Sequence, residues 1–198
     1  LIEQGAIGKA IQTVGLGPHR HNPHRRRPWF YEKTQYGGIL IDIASHQIDQ
    51  FLWLTGSRDA EIAASSVGNY ANPTLPEFED YGEIVLRSPT ASGFIRVDWY
   101  TPDALPTWGD GRLFIQGTEG YLELRKYIDI LGEEGKDHLM LVNQDNYERI
   151  DCSDVPITYF EQFLQDIRDR TELTTTHDHY FTVCRLALEA QERAVQLG

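Results

Sequence analysis

Apolar residues recur with two different periods along this chain, and the changes of period divide it into elements. Between Gly37 and Gly56 they encircle the segment: Leu40, Ile41, Ile43, Ala44, Ile48, Phe51, Leu52 and Leu54 cover most of the circumference of a helix of about five turns. That helix opens on a glycine pair and ends at Gly56, a C-terminal cap. From Ala60 the period drops to two. Strands are predicted at Ala60–Tyr70, Tyr81–Arg87, Gly93–Tyr100, Arg112–Gln116 and Tyr121–Arg125, with weaker ones at Tyr127–Leu131 and His138–Val142. The alternation is clearest where Phe94, Arg96, Asp98 and Tyr100 oppose Ile95, Val97 and Trp99. Turn signals at Asn72-Pro73, Ser88-Pro89, Gly109-Asp-Gly111 and Gly117-Thr-Glu-Gly120 separate the strands. Helical spacing returns at Tyr159–Thr171, with Phe160, Phe163, Leu164 and Ile167 on one face, and at Asp178–Leu197, with Phe181, Cys184, Leu188 and Ala194. The opening segment, Ile2–Leu16, reads as a strand that bends at Gly5 and Gly8.

Short connections between consecutive strands predict a largely antiparallel sheet. Helices grouped at the two ends then cover one face of it, an α+β arrangement. The other face must be polar or covered by another chain. The length, 198 residues, suits one domain able to bury about 70% of its unfolded surface. Two cysteines, Cys152 and Cys184, in a chain without a secretory leader indicate no disulfide framework, and no apolar run is long enough to span a bilayer. A cytoplasmic location without membrane contact is the expectation.

Charge adds an asymmetry. The net charge of −12 combines +4 over residues 1–35 with −16 over the rest. An acidic body argues against nucleic-acid binding. The positive charge gathers in His19-Arg-His-Asn-Pro-His-Arg-Arg-Arg27, just before Pro28-Trp29-Phe30. Such a loop binds an anionic group or, more commonly for a charge run, is solvated or meets another subunit. Its scarcity of apolar residues predicts that it matters little to folding.

The chemistry concentrates on the first helix. At about 100° per residue, Asp42, His46, Asp49 and Trp53 fall within about 60° of one another, on one stripe of an otherwise apolar cylinder. Such a stripe either lines a cleft or simply meets solvent. Donors at i, i+4 and i+7 are able to share a metal ion, but nothing else in the chain shows tight ligand spacing, so no metal is expected. Pro102–Gly111 carries Trp108 and two aspartates, a combination that stacks on a sugar ring or packs at an interface. His177 and His179 belong to a helix start near Thr176 and Asp178, without chemistry.

The run Gly37-Gly-x-Leu-x-Asp42-x-x-x-His46-x-x-Asp49 resembles the signature helix of the Gfo/Idh/MocA oxidoreductases, which act with NAD or NADP on sugars, inositols and related polyols. Ile115-Gln-Gly-Thr-Glu-Gly-Tyr-Leu-Glu-Leu124, the closing segment 159–197 and the opening Gly5-Ala-Ile-Gly8-Lys9 are similar to other parts of that family's C-terminal domain. One departure is visible, Ala44 in place of the common glycine. The resemblance implies that residues 1–198 are a single C-terminal substrate-binding and oligomerisation domain, preceded in such proteins by a Rossmann domain of roughly 120 residues that holds the dinucleotide. Consistently, no Gly-x-Gly-x-x-Gly follows a strand here: Gly15-Leu-Gly17 runs into Pro18-His-Arg20. The family's catalytic lysine lies in a Glu-Lys-Pro motif of that other domain. Glu32-Lys33-Thr34 lacks the proline and is not assigned.

On this resemblance His46 accepts or returns the substrate proton and Asp42 orients it, with Asp49, Arg27, Trp29 and Trp108 as substrate contacts. The expected cofactor is NAD or NADP, bound mainly by the other domain. The expected partners are a sugar- or polyol-like small molecule and further copies of the chain, as a homodimer or homotetramer through the open sheet face. Two rivals remain: an NAD-dependent glycosidase of the same fold, which oxidises a sugar transiently so that a glycosidic bond is eliminated, and a non-catalytic assembly module.

Overall fold

The computed structural model describes residues 1–198. It contains one nine-stranded sheet, with β1 at Ala10–Pro18, β2 at Glu61–Gly68, β3 at Tyr81–Arg87, β4 at Ser92–Asp98, β5 at Arg112–Gly117, β6 at Gly120–Arg125, β7 at His138–Asn143, β8 at Tyr147–Ile150 and β9 at Val195–Leu197. The spatial order is β8-β7-β6-β5-β1-β4-β3-β2-β9. Only β1 with β4 and β2 with β9 run parallel. The sheet is therefore mixed but mostly antiparallel, as the short connections predicted.

Four helices accompany it: a single turn α1 (Lys33–Tyr36), α2 (Ser45–Thr55), α3 (Tyr159–Asp169) and α4 (His177–Arg193). A π-helical turn at Leu40–Ala44 leads directly into α2. This wide turn interrupts the regular helix expected over 37–56, and such turns recur at functional positions. Gly56 (φ 65°) caps α2 as expected. The π turn, α2 and α4 lie on one sheet face over β1–β4, enclosing a core of Ile39, Leu40, Ile48, Phe51, Ile84, Ile95, Val97 and Leu186, among others. Gly82 permits this close seat, since a Cβ there would stand 2.6 Å from Leu40 Cδ2. A smaller core, with Ile7, Leu113, Ile115, Leu122 and Leu141, sits under β5–β7, where the N-terminal turns replace a helix.

Several sequence expectations are corrected. Residues 2–9 form turns rather than strand, because Gly5 (φ 77°) and Gly8 (φ 68°) adopt left-handed conformations that break extended pairing. Tyr127–Leu131 is turn and bend; Tyr147–Ile150 takes the strand role further on. The last helix stops at Arg193, and Val195–Leu197 pairs in parallel with β2. On α4 the buried face is Val183, Leu186, Ala187 and Ala190, while Phe181, Cys184 and Leu188 point to solvent. Both faces are apolar, and the sheet takes the one with small residues, which allows close approach. The apolar face of α3 buries nothing: Phe160 is 71% exposed and Leu164 59%.

The uncovered sheet face carries Val85, Phe94, Val14 and Phe114 side by side in register across β3, β4, β1 and β5. Arg96, Arg112 and Arg125 run alongside. An apolar row with charged flanks is neither a plain solvated face nor a closed core.

Candidate active site

The C-terminal end of β1 supplies the floor of the site. Thr13, Gly15, Gly17 and His19 alternate onto the helix-covered face, so the strand delivers His19 toward α2. Gly15 and Gly17 leave room for Gln47, whose Nε2 would lie 2.8 Å from a Cβ at Gly17. Gln47 is buried and its Oε1 has no partner. Past Pro18 the chain keeps extended pairing: the His19 amide donates to the Asp98 carbonyl and the Arg20 amide to the Trp108 carbonyl, both at 2.8 Å. The Arg20 guanidinium also donates to the carbonyls of Pro102 (2.9 Å) and Leu105. Arg20 therefore shapes the loop that bears Trp108.

A cavity of about 350 Å³ opens between the end of β1, α2 and the facing ends of β5 and β6. His19, His46, Gln47, Asp49 and Gln50 line one side; Lys126 and Tyr127 line the other. Asp42 stands a turn earlier and outside this lining, but it shares an electrostatic field with His19, His46 and Arg26. Although solvent reaches it, desolvation by the surrounding protein raises its carboxyl above the ordinary range, against the pull of Arg26, His19 and His46. Desolvation lowers the pKa of His19, as does the nearby His46, while the Gly17 carbonyl, Asp42 and Asp98 oppose the shift. His19 is therefore neutral near pH 7.

Arg26 departs from the commoner expectation for the basic loop, which was solvation or a subunit contact, because it packs against aromatic rings of the same chain. Its guanidinium carbon lies 4.1 Å from the Phe30 ring centroid, 4.6 Å from Trp99 and 5.3 Å from Trp108. Its Nε donates to the His21 carbonyl at 3.1 Å. His21 stacks on Phe78 at 4.8 Å and bonds the Tyr31 hydroxyl. Half of this charge run thus turns inward, because aromatic faces replace the water that a guanidinium gives up most readily. His24, Arg25 and Arg27 remain exposed.

The other sequence candidates are distributed around this centre. Trp108, 44% exposed, meets His19 edge-on at 6.0 Å. Asp49 Oδ1 lies 2.6 Å from His179 Nε2, so it joins α2 to α4 while lining the cavity. His179 thereby has a partner that its place at a helix start did not reveal. Trp29 packs beside Phe30 at 6.1 Å, and neither it nor Arg27 lines the cavity. Lys33 is held by the buried Glu79, which also accepts from the Ile39 amide at 2.9 Å. Its ammonium is thus committed to the entry of the π turn. No cluster of three or more His, Cys, Asp or Glu side chains converges as a metal site, and no helix is long and apolar enough to cross a membrane.

His19 and Gln47 were missed from sequence alone. The signal was present in Gly15-x-Gly17-x-His19: two positions without side chains followed, on the same strand face, by an imidazole.

Known proteins carry the same fold. A crystal structure of a protein from Erwinia carotovora atroseptica, described as an oxidoreductase, superposes with a TM-score of 0.96 at 46% identity, over 100% of this chain and 60% of that one. An uncharacterized oxidoreductase of Synechocystis sp. is 35% identical over 75 residues, 37% of this chain and 20% of its own length. Levoglucosan dehydrogenase in complex with NADH shares the fold, with a TM-score of 0.70 at 19% identity over 98% of this chain and 59% of that one. The chain spans about three fifths of the length of the two relatives of known structure, and its matched segment a fifth of the Synechocystis protein. Residues 1–123 match the sequence model of the GFO/IDH/MocA C-terminal domain, and the chain belongs to that family of oxidoreductases.

Proposed function

We propose that this chain is the substrate-side domain of an NAD(P)-dependent dehydrogenase acting on a sugar, inositol or related polyol, with His46 as the proton acceptor. The observation that carries the reading is the imidazole of His46 at the wall of a polar cavity, on the helix whose motif matches the family. Oxidation of an alcohol removes a proton from oxygen and a hydride from carbon. His46 takes the proton, a role worth roughly 10²- to 10⁴-fold. Asp42, in the π turn just ahead of His46, orients the substrate hydroxyl toward it. Trp108 offers an apolar ring face at the entrance for a sugar.

A nicotinamide dinucleotide would supply the hydride acceptor. The residues of this chain do not form its pyrophosphate grip: β1 continues past Gly15-Leu-Gly17 into extended pairing instead of turning into a helix N-terminus. We assign that grip to a Rossmann domain elsewhere in the full-length protein, and we assign self-association to the apolar row of the open sheet face. NADH and levoglucosan, named with one structural neighbour, support the choice of cofactor and substrate class.

The test is a screen of the full-length protein against aldoses, polyols, inositols and aryl glycosides with NAD⁺ and NADP⁺. Dinucleotide reduction by a free sugar or polyol is the expected result. Release of the aryl group without net reduction of the dinucleotide would move the assignment to the glycosidase reading.

A further inference from the structure

The mechanism above uses one imidazole of the two that line the cavity. His19 is within 3.0 Å of the Gly17 carbonyl through Nδ1. A carbonyl only accepts, so Nδ1 carries the hydrogen and Nε2 is left with a bare lone pair. Nε2 makes no hydrogen bond within the chain, although His19 is half-buried. Trp99 and Trp108 flank the ring edge-on at 5.7 and 6.0 Å and fix its plane. The backbone holds the residue as firmly, since its amide is bonded to Asp98 and its carbonyl accepts from the Thr101 amide. A rigid, neutral, acceptor-only group beside a proton-accepting His46 is poorly suited to a carbonyl or ring oxygen. It is well suited to a hydroxyl.

We propose that His19 is a specificity-determining residue whose Nε2 accepts a hydrogen bond from the substrate hydroxyl next to the one that His46 deprotonates, so that the site selects vicinal diols over isolated alcohols. The assignment rests on the reading of the site as a sugar or polyol dehydrogenase. No proton is transferred to His19; the neighbouring hydroxyl donates and remains protonated. The groups facing it are His46, Asp42 and Asp98, and it stays an acceptor because burial and His46 both oppose its protonation. A substrate lacking that hydroxyl would leave a desolvated acceptor unpaired, and such a loss separates substrates far more sharply than a missing methylene.

The experiment uses the full-length enzyme and the panel sugar with the highest turnover, compared with its monodeoxy analogues at the carbons flanking the oxidised one. Wild type is expected to prefer the full sugar over one such analogue by at least about tenfold in kcat/KM. His19→Phe should bring that ratio to about one, while His19→Gln, which places an amide oxygen near the former Nε2, should keep most of it. An unchanged ratio in His19→Phe, or an equal loss in both variants, would overturn the proposal. A long-range ¹H–¹⁵N spectrum of the wild type reads the tautomer independently of activity and of either variant's folding. The Nδ1–H form is expected near neutral pH, and the Nε2–H form or a protonated ring would also overturn the proposal. Absence of dehydrogenase activity in wild type, with the Nδ1–H tautomer found, would instead remove the dehydrogenase reading on which the proposal stands.

Discussion

On its proposed role, Asp42 sets stability against function at a single residue. Its carboxyl is raised by desolvation more than Arg26, His19 and His46 lower it, so the folded state holds the proton more tightly than the unfolded chain does. The stability linked to that proton is complete below the unfolded value near 3.9 and is lost as pH rises through the folded one. At neutral pH the ionised carboxylate is therefore a cost. Asp42→Asn is expected to raise the thermal midpoint while lowering turnover in the full-length enzyme; a lowered midpoint at pH 7 would contradict this. Arg26 behaves in the opposite sense. Packed against three rings, it is expected to lose about 1–2 kcal/mol on replacement by Ala, a drop of a few degrees in Tm. Arg25→Ala and Arg27→Ala should stay within about 0.5 kcal/mol, as exposed positions do. Equal effects at all three positions in thermal denaturation would show that the inward turn of Arg26 contributes nothing. Sequence revealed that this loop was basic but not that its charges divide, because the aromatic partners Trp99 and Trp108 come from a strand end and a loop over 70 residues away.

At the scale of elements, the Asp166 carboxylate gathers most of the hydrogen bonds that hold the connection between α3 and α4. Asp166 accepts from the amides of Leu173 and Thr174 and the hydroxyls of Thr171 and Thr174. Partial desolvation opposes ionisation, but these bonds outweigh it and hold the carboxyl at about 2. A lowered folded value gives stability that is present above the unfolded value near 3.9 and is lost as pH falls toward 2. Protection of the Leu173 and Thr174 amides, relative to their intrinsic exchange, is therefore expected to fall between about pH 4 and 2, ahead of the core strands; unchanged protection there at pH 2 would contradict this. The elements also show what was legible. Tyr81–Arg87 appears with its expected bounds, since its alternation is clean and both its neighbours pair with it. The Asp42–His46–Asp49 helix was readable as well, though the π turn was not, because hydrophobic spacing carries no signal for one widened turn. Helical spacing misled at the C-terminus, where the expected helix over Asp178–Leu197 ends at Arg193 and Val195–Leu197 pairs with β2.

At the scale of the molecule, the sheet has one covered and one open face. The row Val85–Phe94–Val14–Phe114 puts four apolar side chains in register across the open face, with arginines beside it, and on the proposed use of this face it meets a second copy. Light scattering of this chain at micromolar concentration is expected to give a dimer or tetramer, and Phe94→Glu to shift it toward monomer; a strict monomer in the unaltered chain would contradict that use of the face. The helix-covered side instead organises the chemistry: glycines in β1 let Gln47 and α2 settle close, and the strand end brings His19 into the cavity lined by His46. That convergence is the centre of the functional account, and His46 is its most exposed claim. The deciding measurement is steady-state turnover and dinucleotide affinity of His46→Ala in the full-length enzyme. We expect kcat to fall by at least about 10²-fold with the dinucleotide affinity nearly unchanged; near-normal turnover in a folded variant would contradict the assignment of His46 as the proton acceptor.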